Sequence, residues 1–194
     1  VNASALADCA TCNVTVANTG TFTIDAAKTY NSITVESGGK LNTTAPLTVG
    51  NLILKAVKDE SSFSSIIDAT ITATSAKLFK TIDYTKWYYM AFPCDVTVAD
   101  ITKSNGESIG VLGTDWFIKY YDGEQRGNNG TAQTNWKHIE AIPTLTANRG
   151  YIFGLKTGTV ELSIPLNRSV LEAESTDKNI AVAANKGAAA NTNH

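Results

Sequence analysis

Lys86-Trp87-Tyr88-Tyr89-Met90-Ala91-Phe92-Pro93 divides this chain into two textures and points to its fold class. A strand rises ~3.3 Å per residue and sends alternate side chains to opposite faces. Trp87, Tyr89 and Ala91 then share one face, and Tyr88, Met90 and Phe92 the other. Apolar or aromatic residues on both sides predict a strand covered on both. It is expected to lock two β domains together, so Trp87→Ala should cost several kcal/mol, as for a buried aromatic. Before it the chain is a Thr-rich string of short units; after it come longer, aromatic segments with wider loops.

Backward from this stretch, apolar triplets recur with a step of nineteen: Val14-Thr15-Val16, Ile33-Thr34-Val35, Leu52-Ile53-Leu54 and Ile71-Thr72-Ala73. Lys28-Thr29-Tyr30, Leu47-Thr48-Val49 and Ile66-Ile67-Asp68 form a second column. A third holds Phe22-Thr23-Ile24 and Leu41-Asn42-Thr43, then slips, with Phe63 entering after an insertion through Lys58-Asp59-Glu60. Three short strands per repeat fit one coil of a parallel β-helix. In the first column the outer residues of each triplet would fill the interior, and Thr15, Thr34, Ile53 and Thr72 would stack outside. Turn residues separate the strands at Asn18-Thr19-Gly20, Ser37-Gly38-Gly39 and Gly50-Asn51. A run of antiparallel hairpins in an ordinary sandwich is the competing reading.

Forward from it, Trp116-Phe117-Ile118-Lys119-Tyr120-Tyr121 predicts a strand, and Asp122-Gly123 is the dipeptide of a tight hairpin. Asn135–Ile139, Arg149–Leu155, Gly158–Ile164 and Ser169–Leu171 continue the β pattern. Nowhere do apolar residues hold a 3.6 period long enough for a helix. The expected fold is all-β: a short right-handed parallel β-helix of about four rungs over residues 1–79, then an antiparallel β-sandwich over 80–194 that continues beyond the last residue.

The chain has 194 residues, 18% of them charged, with a net charge of −2. That balance offers no electrostatic reason to expect nucleic acid, and no apolar run reaches the ~18 residues of a membrane span. Cys9-Ala-Thr-Cys12 has C-x-x-C spacing, but zinc wants four ligands and a redox site wants a helix, whereas Asn13-Val14-Thr15-Val16 reads as a strand. A local disulfide or two free thiols remain, with Cys94 unpaired.

Trp87-Tyr88-Tyr89-Met90-Ala91-Phe92-Pro93, Trp116 with Tyr120 and Tyr121, and Ala147-Asn148-Arg149-Gly150-Tyr151 together resemble large secreted or surface-exposed cell-adhesion proteins of Gram-negative gut bacteria. Ser32–Leu41 resembles their short solenoid units. The resemblance covers residues 13–165. It implies an extracellular or outer-membrane setting with the export signal already removed, and carries over no catalytic residue. Such relatives continue into a Gly-Trp-Asn strand and a sorting module, which this sequence lacks, so a fragment of a longer protein is expected.

Catalytic signals are sparse. Two histidines, His138 and His194, are available, without a G-x-S-x-G elbow, P-loop or G-x-G-x-x-G. Asp115, Asp122, Glu124 and Glu140 flank the central strands, as polar residues flank any turn. The expectation is a non-enzymatic protein of adhesion or structural type, partnered by a host or bacterial surface glycan or protein. The alternative is a carbohydrate-binding module. Flat rings stack on a pyranose while nearby polar groups bond its hydroxyls. Its candidate residues are Trp116, Tyr120, Tyr121, Asp122, Arg126 and Trp136. The competing role for those aromatics is sandwich core. No cofactor is expected, although the loop Asp122–Asn129 holds oxygen ligands suited to Ca²⁺ without the spacing of a known calcium loop.

Overall fold

A computed structural model describes residues 6–56, 65–67, 70–123, 135–139, 144–166 and 170–172. The chain is all-β, and the described residues outside strands include one 3₁₀ turn, Val98–Asp100.

The nineteen-residue step becomes parallel pairing. β1 (Cys9–Val16), β3 (Lys28–Val35), β5 (Leu47–Ala56) and β7 (Thr70–Asp83) lie side by side and parallel. β2 (Thr21–Ile24), β4 (Lys40–Thr43) and β6 (Ser65–Ile67) form a second parallel sheet. Val14 pairs with Ile33 and Ile33 with Leu52, as the spacing predicts. Ile33, Val35 and Leu52 are fully buried, while Thr15 and Thr72 are exposed. The turns repeat too. Thr19 (φ 63°) and Gly38 (φ 84°) occupy the same left-handed position one step apart, and the Thr19 N–H donates to the Gly38 carbonyl (3.2 Å).

Past residue 56 the step lengthens, and the expected columns shift. Ile71-Thr72-Ala73 pairs with Leu47-Thr48-Val49 rather than with Leu52–Leu54, which faces Ala76–Leu78. Ile66 and Ile67 fall into the third column, opposite Leu41 and Asn42. Insertion between β5 and β6 accounts for this: a strand of period two keeps its inward face only when the shift is absorbed in a loop. Phe63, expected in that third column, lies outside the described residues.

Long strands bend where they turn between faces. In β3 both Tyr30 and Ile33 are buried, so alternation breaks at Asn31-Ser32. Gly50 passes this corner one nineteen-residue step on, where a Cβ would lie 2.6 Å from the Asn31 carbonyl oxygen. The Asn13 carboxamide oxygen accepts from Asn31 Nδ2 (2.8 Å) and Ser32 Oγ (2.7 Å). Beside it, Cys9 and Cys12 form a disulfide across a bulge of β1, and Cys94 is a buried thiol outside that disulfide.

β7 joins the two textures. One edge of it pairs with β5 through Ala56↔Lys80. The other pairs antiparallel with β15 (Thr159–Pro165) and β16 (Val170–Glu172). β10 (Thr102–Lys103) extends the same sheet beyond β15. Residue 79 thus lies inside a continuous strand.

The aromatic half forms a four-stranded antiparallel sheet in the order β12 (Trp136–His138), β11 (Trp116–Tyr121), β14 (Gly150–Leu155), β8 (Tyr88–Ala91). A short pair, β9 (Val96–Thr97) with β13 (Thr144–Leu145), lies apart from it in pairing. The inner face presents Tyr88, Trp116, Ile118, Tyr151, Phe153 and Leu155, all buried in one core that also holds Ile82, Phe92, Leu162 and Ile164. Asp122-Gly123 does not close a tight hairpin. Tyr121 pairs with Trp136, so the connection runs from residue 122 to 135, fastened where the Asp122 N–H donates to the Asn135 carbonyl (2.9 Å).

Candidate functional site

The outer face of the four-stranded sheet is an aromatic shelf. Alternation along β11 turns Phe117, Lys119 and Tyr121 away from the core. Register places Ile152 of β14 opposite Lys119, and Gly154 opposite Phe117. On β12, His138 stands across from Lys119 and Trp136 across from Tyr121. On β8, Tyr89 pairs with Ile152. The rings touch in two groups. Tyr89–Trp136 and Tyr121–Trp136 meet edge-on, with centroids 6.1 and 5.5 Å apart. Trp87–Phe117 and Phe117–His138 are 6.3 and 6.0 Å apart. These are the distances of favourable aromatic pairs.

Gly154 makes this face possible. A Cβ there would come within 3.0 Å of the Trp87 indole, which lies across the strand. Glycine inside a central strand weakens it unless something else packs on its bare backbone, and Trp87 supplies that cover. Above Trp87, the Lys119 ammonium sits 4.5 Å from the ring centroid.

The expected coverage of both faces of β8 is therefore corrected. Tyr88 and Phe92 are buried, but Trp87 is 39% exposed and Tyr89 72%. The other layer packs on one side only, and the strand that joins the two halves is β7 rather than Trp87–Pro93. Trp87→Ala is accordingly expected to lower stability by only about 1–2 kcal/mol, below the ~3–5 of a fully buried aromatic. Urea unfolding checks this. A loss as large as that of a core Phe would mean Trp87 is covered.

The sequence-derived candidates separate by face. Trp116 is 4% exposed and gives its indole N–H to the Gly110 carbonyl (3.3 Å), so it is core and not a ligand platform. Tyr120 packs on the core, with the Arg149 guanidinium 4.2 Å from its ring centroid. Tyr121 and Trp136 stand on the shelf. Asp122 forms an ion pair with Lys137, which is opposite Tyr120 and so on the other face. Arg126, Glu124 and Glu140 lie outside the described residues, as does the loop considered for Ca²⁺ beyond Gly123. Asp115 accepts from the Val111 N–H (2.8 Å). Among the described residues no three His, Cys, Asp or Glu side chains cluster as metal ligands, and no helix is long and apolar enough to cross a membrane.

Trp87, Tyr89, Phe117 and His138 were not among the sequence-derived candidates. Their signal was parity: Phe117 and Tyr121 share one face of β11, and Tyr89 and Trp87 share one face of the Trp87–Pro93 stretch. The chain matches no protein-family model, no curated protein and no solved structure.

Proposed function

We propose that the chain is a non-enzymatic, secreted or surface-bound adhesion module that binds glycans on the shelf of its four-stranded sheet. In this reading the parallel strands are a short right-handed β-helix of about four rungs carrying an antiparallel β-sandwich. The repeating left-handed turn at Thr19 and Gly38 and the buried column through Ile33 and Leu52 support the coil. The observation that carries the function is the continuous row of Tyr89, Trp136 and Tyr121 rings, of which Tyr89 is exposed and the other two half-buried. Solvated aromatics are costly to expose in a patch, and such patches mark binding surfaces. Sugars suit this one, because a pyranose offers an apolar C–H face to each ring. The Cys9–Cys12 disulfide and the resemblance to adhesion proteins support an extracellular or outer-membrane site.

A glycan array on the wild-type chain, followed by titration of the best hit, tests the reading. Tyr89→Ala and Trp136→Ala are each expected to weaken binding about tenfold with little change in Tm. An array without hits would remove the glycan reading. Unchanged affinity in both variants would move the site off the shelf.

A further inference from the structure

Lys119 stands at the middle of the shelf. Phe117 and Tyr121 flank it along β11, and Ile152 and His138 face it from the neighbouring strands. Its ammonium rests on Trp87, a contact that holds the cation in place yet leaves it hydrogens to donate. Lys55, Lys103 and Lys137 each meet a carboxylate, from Glu36, Glu107 and Asp122. No carboxylate of the described residues pairs with Lys119, and none of the described strand residues on its face is acidic.

The hydrogen-bonding inventory of the face is accordingly lopsided. The Trp87 and Trp136 indoles and the Lys119 ammonium only donate, whereas the Tyr89 and Tyr121 hydroxyls and His138 do both. A neutral sugar is best held by carboxylates and amides that accept from its hydroxyls. The described residues of this face lack them and offer a cation with surplus donors, which is the complement of an anion rich in acceptor oxygens.

We propose that the saccharide bound here is acidic. One pyranose stacks on Tyr89 and Trp136, and its carboxylate or sulfate ester accepts hydrogen bonds from Lys119. This rests on the glycan-binding reading above and narrows it to one chemical class. The anion lies where Lys119 reaches over the row between the two ring groups, so stacking and charge act on the same sugar unit or its neighbour.

Calorimetric titration with an oligogalacturonate and its methyl ester isolates the charge, since the ester keeps the rings and their apolar faces. A sulfated galactan oligosaccharide and its desulfated form make the second pair and tell which anion is preferred. The acidic member of at least one pair is expected to bind about tenfold tighter than its neutral partner, with the gap shrinking as salt rises. Lys119→Met keeps a stem over Trp87 and should abolish that gap while leaving the neutral member's affinity unchanged. Lys40→Met, an exposed lysine on β4, should leave the gap intact. Equal binding of acidic and neutral members by the wild type overturns this inference and leaves the glycan reading standing. Loss of both members in Lys119→Met overturns it too, since the lysine would then only be positioning Trp87. Failure of every saccharide, on the array as in solution, takes down the glycan reading itself.

Discussion

Phe153→Ala is expected to lower the free energy of unfolding by about 4 kcal/mol. Phe153 is fully buried at the centre of β14, between Ile118 on β11 and Tyr88 on β8. Its ring meets Phe92 edge-on at 6.1 Å. Truncation removes the transfer free energy of the ring, leaves a cavity lined by neighbours on three strands, and breaks an aromatic pair worth ~0.5–1.5 kcal/mol beyond its area. Phe153→Leu keeps most of the volume and should cost about 1–1.5 kcal/mol. Tyr89→Ala provides the internal comparison. It lies on β8 one residue from Tyr88 but on the opposite face, and its side chain is mostly in water. Urea titrations of the three variants read the difference directly. If Phe153→Ala and Tyr89→Ala shifted the midpoint equally, the faces of this sheet would have been exchanged, because a one-residue slip turns every side chain over.

That sensitivity explains what was legible in the sequence. In the parallel strands one face is Thr, Ser or Asn and the other Ile, Leu or Val, so alternation names the inside: Thr15 and Thr72 point out, Ile33 and Leu52 in. The register held while the step stayed at nineteen and failed where an insertion of unmarked length entered after Ala56. β8 is the opposite case. Trp87 and Tyr89 on one side and Tyr88 and Phe92 on the other are equally fit for a core, and periodicity has no means of choosing between them. The choice is made by the second layer, which reaches only the Tyr88 side. The same ambiguity placed Trp116 among the candidate ligands with Tyr121, although their positions differ by an odd number and a strand must part them. Asp122-Gly123 misled differently. It has the composition of a tight turn, but the pairing of Tyr121 with Trp136 sets the connection length, and no local signal carries that. The shelf was least legible of all, since Tyr89 and Trp136 meet across four strands only after the sheet forms.

Leu52→Ala is expected to lower stability by about 3 kcal/mol, and its most informative effect is expected far from the mutation. Leu52 is fully buried in β5, paired with Ile33 on one side and Ala76 on the other. Ala76 is too small to fill the space left, so the site collapses poorly and the cavity cost remains. Ile53→Ala, one residue on and on the outer side, should cost no more than about 1 kcal/mol. All three tryptophans, at 87, 116 and 136, belong to the aromatic half, so their fluorescence reports that half alone. The two halves share β7, which carries the parallel ladder of β5 on one edge and the antiparallel ladder of β15 on the other. Ile71 and Ala76 on that strand pack in the same core as Ile82 and Phe153. Opening the parallel strands therefore strips β7 of one edge and exposes residues that the second layer needs. Loss of Leu52 should lower the tryptophan-detected midpoint as far as the midpoint followed by far-UV circular dichroism, by roughly 6–12 °C. Coincident transitions are the mark of one cooperative unit. A fluorescence midpoint that stays at its wild-type value while the dichroism moves would show two independently folding halves, with β7 fraying between them.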